Sequence, residues 1–191
     1  YAGLQAAYGF FNARLFDGVL PACLLTLQRK GRAAGYFAGG RFVSAQTADP
    51  CDEIALNPGV FRERGTRIVL STLVHEMAHL WQHHCGTPPR RAYHNCEWAN
   101  KMLELGLVPS HTGAPGGRQT GYRMTHYIDD GGAFDVACHT FMQRGYALPY
   151  VETVDPPASL TKAASKTRYT CGGCGQNAWA KPAARLMCDP C

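Results

Sequence analysis

Long apolar runs are missing from this 191-residue chain, and without a stretch of about 18 apolar residues no helix is expected to span a membrane. The first residues, Tyr1-Ala2-Gly3-Leu4-Gln5, have neither the basic flank nor the apolar stretch of a signal peptide. They also lack an initiator Met, as expected of a trimmed chain. No internal repeat is present. Charged residues make up only 17 % and hydrophobic residues an ordinary 46 %. A chain of this length and composition is expected to hold one domain with a full core plus a small appendage, and it is too short for two large domains.

A regular disulfide framework is lacking too. The nine cysteines are odd in number. Cys23, Cys51, Cys85, Cys96 and Cys138 are scattered singly, while Cys171, Cys174, Cys188 and Cys191 fall into two CxxC pairs. That is the pattern of a reduced, intracellular protein rather than a secreted scaffold.

What the chain does have is His75-Glu76-Met77-Ala78-His79, an HExxH pentapeptide. With eight His and six Glu in the chain, a shuffled sequence shows this motif roughly one time in a hundred, so context must support it. Ile68, Val69, Leu70, Leu73, Val74, Met77, Leu80 and Trp81 recur at three- and four-residue intervals, which predicts a largely buried helix over 66–84. Residues four apart on a helix have Cβ atoms about 5–6 Å apart, so His75 and His79 can reach one ion at about 2.0–2.1 Å. Glu76 lies about 100° further round the helix, where it can take a proton from water activated by the metal without being a ligand.

A hydrolytic zinc usually takes three protein ligands and leaves one position open. In the extended HExxHxxGxxH pattern the third His would fall on Cys85, so that pattern is excluded. The next candidates are His94, after the Gly86-Thr87-Pro88-Pro89-Arg90-Arg91 turn, and Glu97, at the start of a second amphipathic helix over about 97–105. Spacing alone leaves both open.

The two CxxC pairs are separated by thirteen residues, close to the arrangement of a zinc ribbon in which four thiolates close the coordination sphere of a structural ion. A redox reading would require a neighbouring βαβ pattern, and none is present. A module this small cannot hold itself together by core burial, so its folding should depend on metal. From Pro156 onward Lys162, Lys166, Arg168, Lys181 and Arg185 stand against Asp189 alone, so this tail carries most of the net charge of +5. With Tyr169 and Trp179 interleaved, the tail is either a solvated basic segment or a surface that holds phosphates and stacks bases.

Elsewhere, Leu4, Tyr8, Phe11 and Leu15 mark an amino-terminal helix ending near Asp17-Gly18. Strands are expected over 22–29, 36–45 and 52–56, forming a small antiparallel sheet flanked by helices. Asp52 to Leu56 is the candidate edge to which a peptide could add as a further strand, or else an ordinary capped edge. The segment 110–132 is rich in Gly and reads as a long surface loop, followed by a strand or hairpin from Phe134 to Met142. Tyr122, Arg123, His126 or Tyr127 of that loop, or Tyr93, could stabilise an oxyanion. His83, His84, His111, His126 and His139 have no ligand spacing and are expected on the surface or as satisfied core groups.

Taken together, the stretch HEMAHLWQHHCGTPPRRAYHNCEWANKMLELGL resembles the SprT-like family of zinc metalloproteases, which includes proteases acting on DNA-protein crosslinks. The similarity extends to Phe11-Asn12-Ala13-Arg14-Leu15-Phe16, Gly35-Tyr36-Phe37, Ile54-Ala55-Leu56-Asn57-Pro58 and the cysteine module, covering nearly the whole chain. The resemblance implies that His94, shortly before Trp98, is the third ligand beside His75 and His79; Asn95 stands where the family often has Gly. It further implies an α+β fold with a zincin-like core over 1–150, a linker over 151–167 and a four-cysteine zinc ribbon over 168–191. Two zinc ions would be bound, one catalytic and one structural through Cys171, Cys174, Cys188 and Cys191. Glu76 would be the catalytic base, substrates would be proteins bound or crosslinked to DNA, and single-stranded DNA would stimulate cleavage. Lys162, Lys166, Arg168, Tyr169, Trp179, Lys181 and Arg185 would touch that DNA. The expected location is the cytoplasm, at the nucleoid in a bacterium, or the nucleus in a eukaryote. The rival expectations are a metal-dependent DNA-binding module with little protease activity and a general cytosolic peptidase.

Overall fold

The apolar periodicity around the HExxH motif produces the longest helix of the computed structural model, which describes residues 2–28, 33–146, 166–189 and 191. Helix α2 runs Phe61–Cys85, and Gly65, at φ 70°, interrupts its first turn so that the regular helix starts at Thr66. From Val69 to Ala78 every residue is buried. Side chains on all faces of this stretch need partners, and the rest of the amino-terminal unit provides them.

Before α2 come α1 (Ala2–Leu15), β1 (Leu24–Leu27), β2 (Gly35–Val43) and β3 (Pro50–Leu56). After it come β4 (Tyr93–His94), α3 (Cys96–Glu104), β5 (Leu107–Ser110), β6 (Gly121–Tyr122), β7 (Thr125–Ile128) and α4 (Ala133–Met142). This α+β unit spans Tyr1–Glu152, and a second unit spans Thr153–Cys191. The second contains the hairpin of β8 (Thr167–Thr170) and β9 (Asn177–Ala180). The predicted linker lies, up to residue 165, outside the described residues, and so does Lys162.

The three-stranded sheet corrects two expectations. Its order is β1-β3-β2, with β1 parallel and β2 antiparallel to β3, so the sheet is mixed rather than antiparallel. Asp52 to Leu56 therefore lies in the central strand, and the strand expected at an edge has neighbours on both sides. The strand carries Glu53, an acidic residue in a short apolar run. Glu53 is fully buried, but its carboxylate is supplied from both flanking strands. Thr26 Oγ1 and Gln28 Nε2 donate to it at 2.6 and 2.7 Å, Tyr36 Oη donates at 3.0 Å, and Arg41 pairs with it at 3.0 Å. A buried charge saturated in this way is compatible with a strand interior.

The segment expected as a strand or hairpin over 134–142 is helix α4. Phe134, Ala137, Cys138 and Phe141 are buried at helical spacing. The long loop over 110–132 also carries structure: β6 pairs with β4, and β7 pairs antiparallel with β5, setting His126 opposite Pro109. Gly106, at φ +74°, turns the chain from α3 into β5 against the start of α4, where an added Cβ would lie 2.7 Å from Ala133 N.

Aromatic packing joins the first and last helices of this unit. The Phe11 ring lies 5.7 Å from Phe134 and 5.7 Å from Phe141, and Arg67 of α2 pairs with Asp135 of α4 at 2.7 Å. Replacing the buried Phe11 by Ala is expected to cost about 3–5 kcal/mol. Val136→Ala, on the exposed face of α4, should stay within about 0.5 kcal/mol of the parent. Denaturant unfolding of the two variants checks the difference.

Candidate metal centre

His75 and His79 project from successive turns of α2, with ring centroids 5.2 Å apart. His94 approaches from β4, its centroid 4.7 Å from His79 and 5.8 Å from His75. Nε2 of His79 and Nε2 of His94 are 3.1 Å apart, and one ligand atom from each of the three imidazoles lies within 4.8 Å of the others. Two nitrogens bound to one tetrahedral zinc stand about 3.3 Å apart when each bond is about 2.05 Å, so the separation suits a shared ion.

Local sequence explains why β4 delivers His94 to this point. His94 pairs with Gly121 across β4 and β6, and its Nδ1–H donates to the Gly121 carbonyl at 3.1 Å. Asn95 caps α3, its Oδ1 accepting from Trp98 N at 3.1 Å and from Gln82 Nε2 at 2.8 Å. The cap roots the third-ligand strand on α2 and sets Trp98 beneath the histidines. The Trp98 indole, fully buried, stacks on His79 with planes 14° apart and meets His94 edge-on at 4.3 Å.

Glu97, the competing ligand, is engaged elsewhere. Its Oε2 accepts from Gln82 Nε2 at 2.6 Å and from Thr87 N at 2.8 Å, closing the turn that follows α2.

Burial keeps the imidazoles neutral. It pushes His79 down to about 3 and holds His75 well below the usual range. His94 is also lowered by burial, against the opposing pull of its bond to the Gly121 carbonyl. Neutral imidazole is the form that ligates metal. Beside them, burial pushes the Glu76 carboxyl up to about 8, although a backbone hydrogen bond from Phe37 favours its charged form. Gly35 makes room for this carboxyl, because an added Cβ would lie 3.1 Å from Glu76 Oε1 and 3.0 Å from the Ala55 carbonyl oxygen. A divalent cation nearby would favour the carboxylate.

These groups open onto a cleft of about 1150 Å³, whose wall includes Tyr36, Arg64, Arg90, Tyr93, Arg123 and Tyr127. His126 lines it as well, a contribution for which the sequence carried no spacing signal. Its Nδ1 is 3.1 Å from His75 Nδ1, and its Nε2 is 2.9 Å from Ser71 Oγ. With both nitrogens engaged, His126 is not placed as an oxyanion donor. Tyr93 and Tyr122 pack edge to face at 5.3 Å, with the Arg90 guanidinium over both rings.

Among the other histidines, His84 Nε2 pairs with Asp52 Oδ2 at 2.6 Å at the end of α2, with His83 nearby. His111 accepts from Arg118 N, and His139 contacts Gln143.

In the second unit the four thiols of Cys171, Cys174, Cys188 and Cys191 lie within 4.8 Å of one another. The β8–β9 turn carries the first pair and the segment after β9 the second. Backbone N–H groups of Cys174 and Gly173 bring the Cys171 thiol down to about 6, while hydrogen bonds with the neighbouring thiols push Cys188 up to about 11. Of the basic and aromatic residues expected to touch DNA, Arg168 lies directly across the hairpin from Trp179, which is 61 % exposed. Lys166, Lys181 and Arg185 are exposed. Tyr169 is half-buried; its hydroxyl donates to the Lys181 carbonyl and accepts from Ala184 N, bracing the module.

Residues 4–118 match the SprT-like family. A curated relative from Salmonella typhimurium, described as an uncharacterized protein in the mucB 3' region, is 50 % identical over 54 residues, which is 28 % of this chain and 73 % of the relative. No solved structure matches the chain.

His94→Ala is expected to weaken zinc binding at the histidine cluster by roughly 100-fold or more, beyond the range seen for outer-shell changes. Glu97→Ala should leave it within a few-fold. Chelator competition on both variants gives the comparison, and the opposite ranking would make Glu97 the ligand.

Proposed function

The chain belongs to the SprT-like family, whose domains are of metallopeptidase type, and on that premise we propose that it is a zinc-dependent endopeptidase acting on proteins bound or crosslinked to DNA. The observation that carries the reading is the convergence of His75, His79 and His94 beside the buried Glu76 at the wall of an open cleft. In a closed structural site a buried carboxyl next to the ligands would have no task, and its burial would only add cost.

A zinc ion held by the three imidazoles supplies Lewis-acid polarisation of a peptide carbonyl and lowers the pKa of water. Glu76 takes a proton from the attacking water and returns it to the departing amine. His75, His79 and His94, kept neutral by burial, present lone pairs rather than protons. Trp98 closes the floor and excludes water from that side. Substrate passes along Gly35, Tyr36 and Phe37 of β2, which line the cleft next to Glu76.

The four-thiol module holds a second, structural zinc ion. Its exposed Trp179 offers a stacking face to a base, and Arg168, Lys181 and Arg185 offer charge to phosphates. Tyr169 serves the module's own packing, so the stacking role falls to Trp179. Single-stranded DNA is the expected partner and stimulator.

Zinc-loaded protein should cleave a DNA-binding protein, and cleavage should rise when single-stranded DNA is added. Glu76→Gln should retain zinc and fold but lose at least about 100-fold in rate, the scale of general-base catalysis. Cleavage indifferent to DNA would point to a general peptidase, and an active Glu76→Gln variant would remove the general base. Trp179→Ala should weaken single-stranded DNA binding by about 5- to 150-fold, which corresponds to about 1–3 kcal/mol per stacked base. Fluorescence anisotropy at two salt concentrations measures it, since phosphate contacts impose a steep salt dependence.

A further inference from the structure

Both hydrogen-bond acceptors that face the outer nitrogens of metal-site histidines come from one short segment, Gly121 to His126. Gly121 accepts the Nδ1–H of His94 at 3.1 Å. His126 Nδ1 stands 3.1 Å from Nδ1 of His75. His126 lies beyond the residues 4–118 that match the family. It is held in β7, whose pairing with β5 sets His126 opposite Pro109.

The chain of contacts runs from His75 through His126 to Ser71 on α2. Ser71, fully buried on α2 one turn before His75, has its hydroxyl 2.9 Å from the Ile68 carbonyl, which can only accept. When Ser71 donates there, its oxygen accepts the Nε2–H of His126 at 2.9 Å. A neutral imidazole protonated at Nε2 is an acceptor at Nδ1. His126 Nδ1 then accepts the Nδ1–H of His75, and the remaining lone pair of His75 is at Nε2. The Ile68 carbonyl also accepts from Thr72 Oγ1 at 2.9 Å, so what excludes the reverse direction is that it would place the His75 proton on the nitrogen that has to ligate.

We infer that His126 is a positioning residue of the metal centre: with Ser71 behind it, it fixes the ring orientation and the Nδ1–H tautomer of His75, as the Gly121 carbonyl does for His94. This inference rests on the reading of His75, His79 and His94 as metal ligands. Ser71 and His75 occupy successive turns of α2, so His126 bridges that turn and locks β7 to the face of the helix that carries the site. Outer partners of this type orient ligating imidazoles and raise their basicity, and their loss typically costs 10- to 100-fold in metal affinity.

The test is zinc titration of the full chain against a chelator, with His79→Ala giving the response of the four-thiol site alone. His126→Leu should weaken the histidine site by roughly 10- to 100-fold. His126→Asn, whose Oδ1 can accept from His75 Nδ1–H, should recover most of that affinity. Nitrogen-detected NMR of the zinc-loaded chain should show the His75 proton on Nδ1 in the parent and in His126→Asn. Parent-like affinity in His126→Leu would overturn the inference while leaving the ligand assignment intact, and so would equal losses in the Leu and Asn variants, which would make His126 a packing group. A parent chain that titrates like His79→Ala would overturn the ligand assignment itself and the inference with it.

Discussion

Burying three imidazoles and a carboxyl around one point of α2 is tolerable only if each group finds a compensating partner. Much of the amino-terminal unit is organised to supply them. Asn95 and Gln82 tie the third histidine's strand to the helix. Trp98 fills the space below the rings, Phe37 donates a backbone N–H to Glu76, and Gly35 leaves the room this requires. Taking water away from such a cluster disfavours charge on all its members. The same burial thus keeps the imidazoles neutral and holds Glu76 in a range where it can exchange a proton.

The legible parts of the sequence were those with a local period or a fixed spacing. The 3.6-residue pattern of α2 and the four-residue interval between His75 and His79 are properties of one helix, and geometry turns them directly into a face. The choice between His94 and Glu97 was not local. It depends on Gln82, one helix away, which occupies the Glu97 carboxylate. The place of His126 beside His75 was not legible for the same reason: four consecutive half-buried residues in β7 show no alternation, and its partners are 51 and 55 residues distant.

Two misreadings have identifiable causes. Phe134, Ala137, Cys138 and Phe141 do carry a helical period, but the glycines before them suggested a loop leading to a hairpin. Asp52 to Leu56 was read as an edge to which a peptide could add, but β1 and β2 flank it, and Thr26, Gln28, Tyr36 and Arg41 pair its Glu53 across the sheet. In both cases the competing signal was sound in isolation, and long-range packing decided against it.

The two outer contacts of the histidine cluster differ in chemical kind, and this governs how the site can change over time. The support for His75 is a side chain, so one codon change can remove it and another can restore it. The support for His94 is a main-chain oxygen, which every amino acid possesses. Replacement of Gly121 acts through its backbone angle, at φ +126°, rather than by deleting the acceptor. A side-chain scan would therefore register the first support and attribute any effect at the second to strain. Separating the two at Gly121 takes backbone chemistry, such as an amide-to-ester exchange that weakens the carbonyl as an acceptor while leaving every side chain in place.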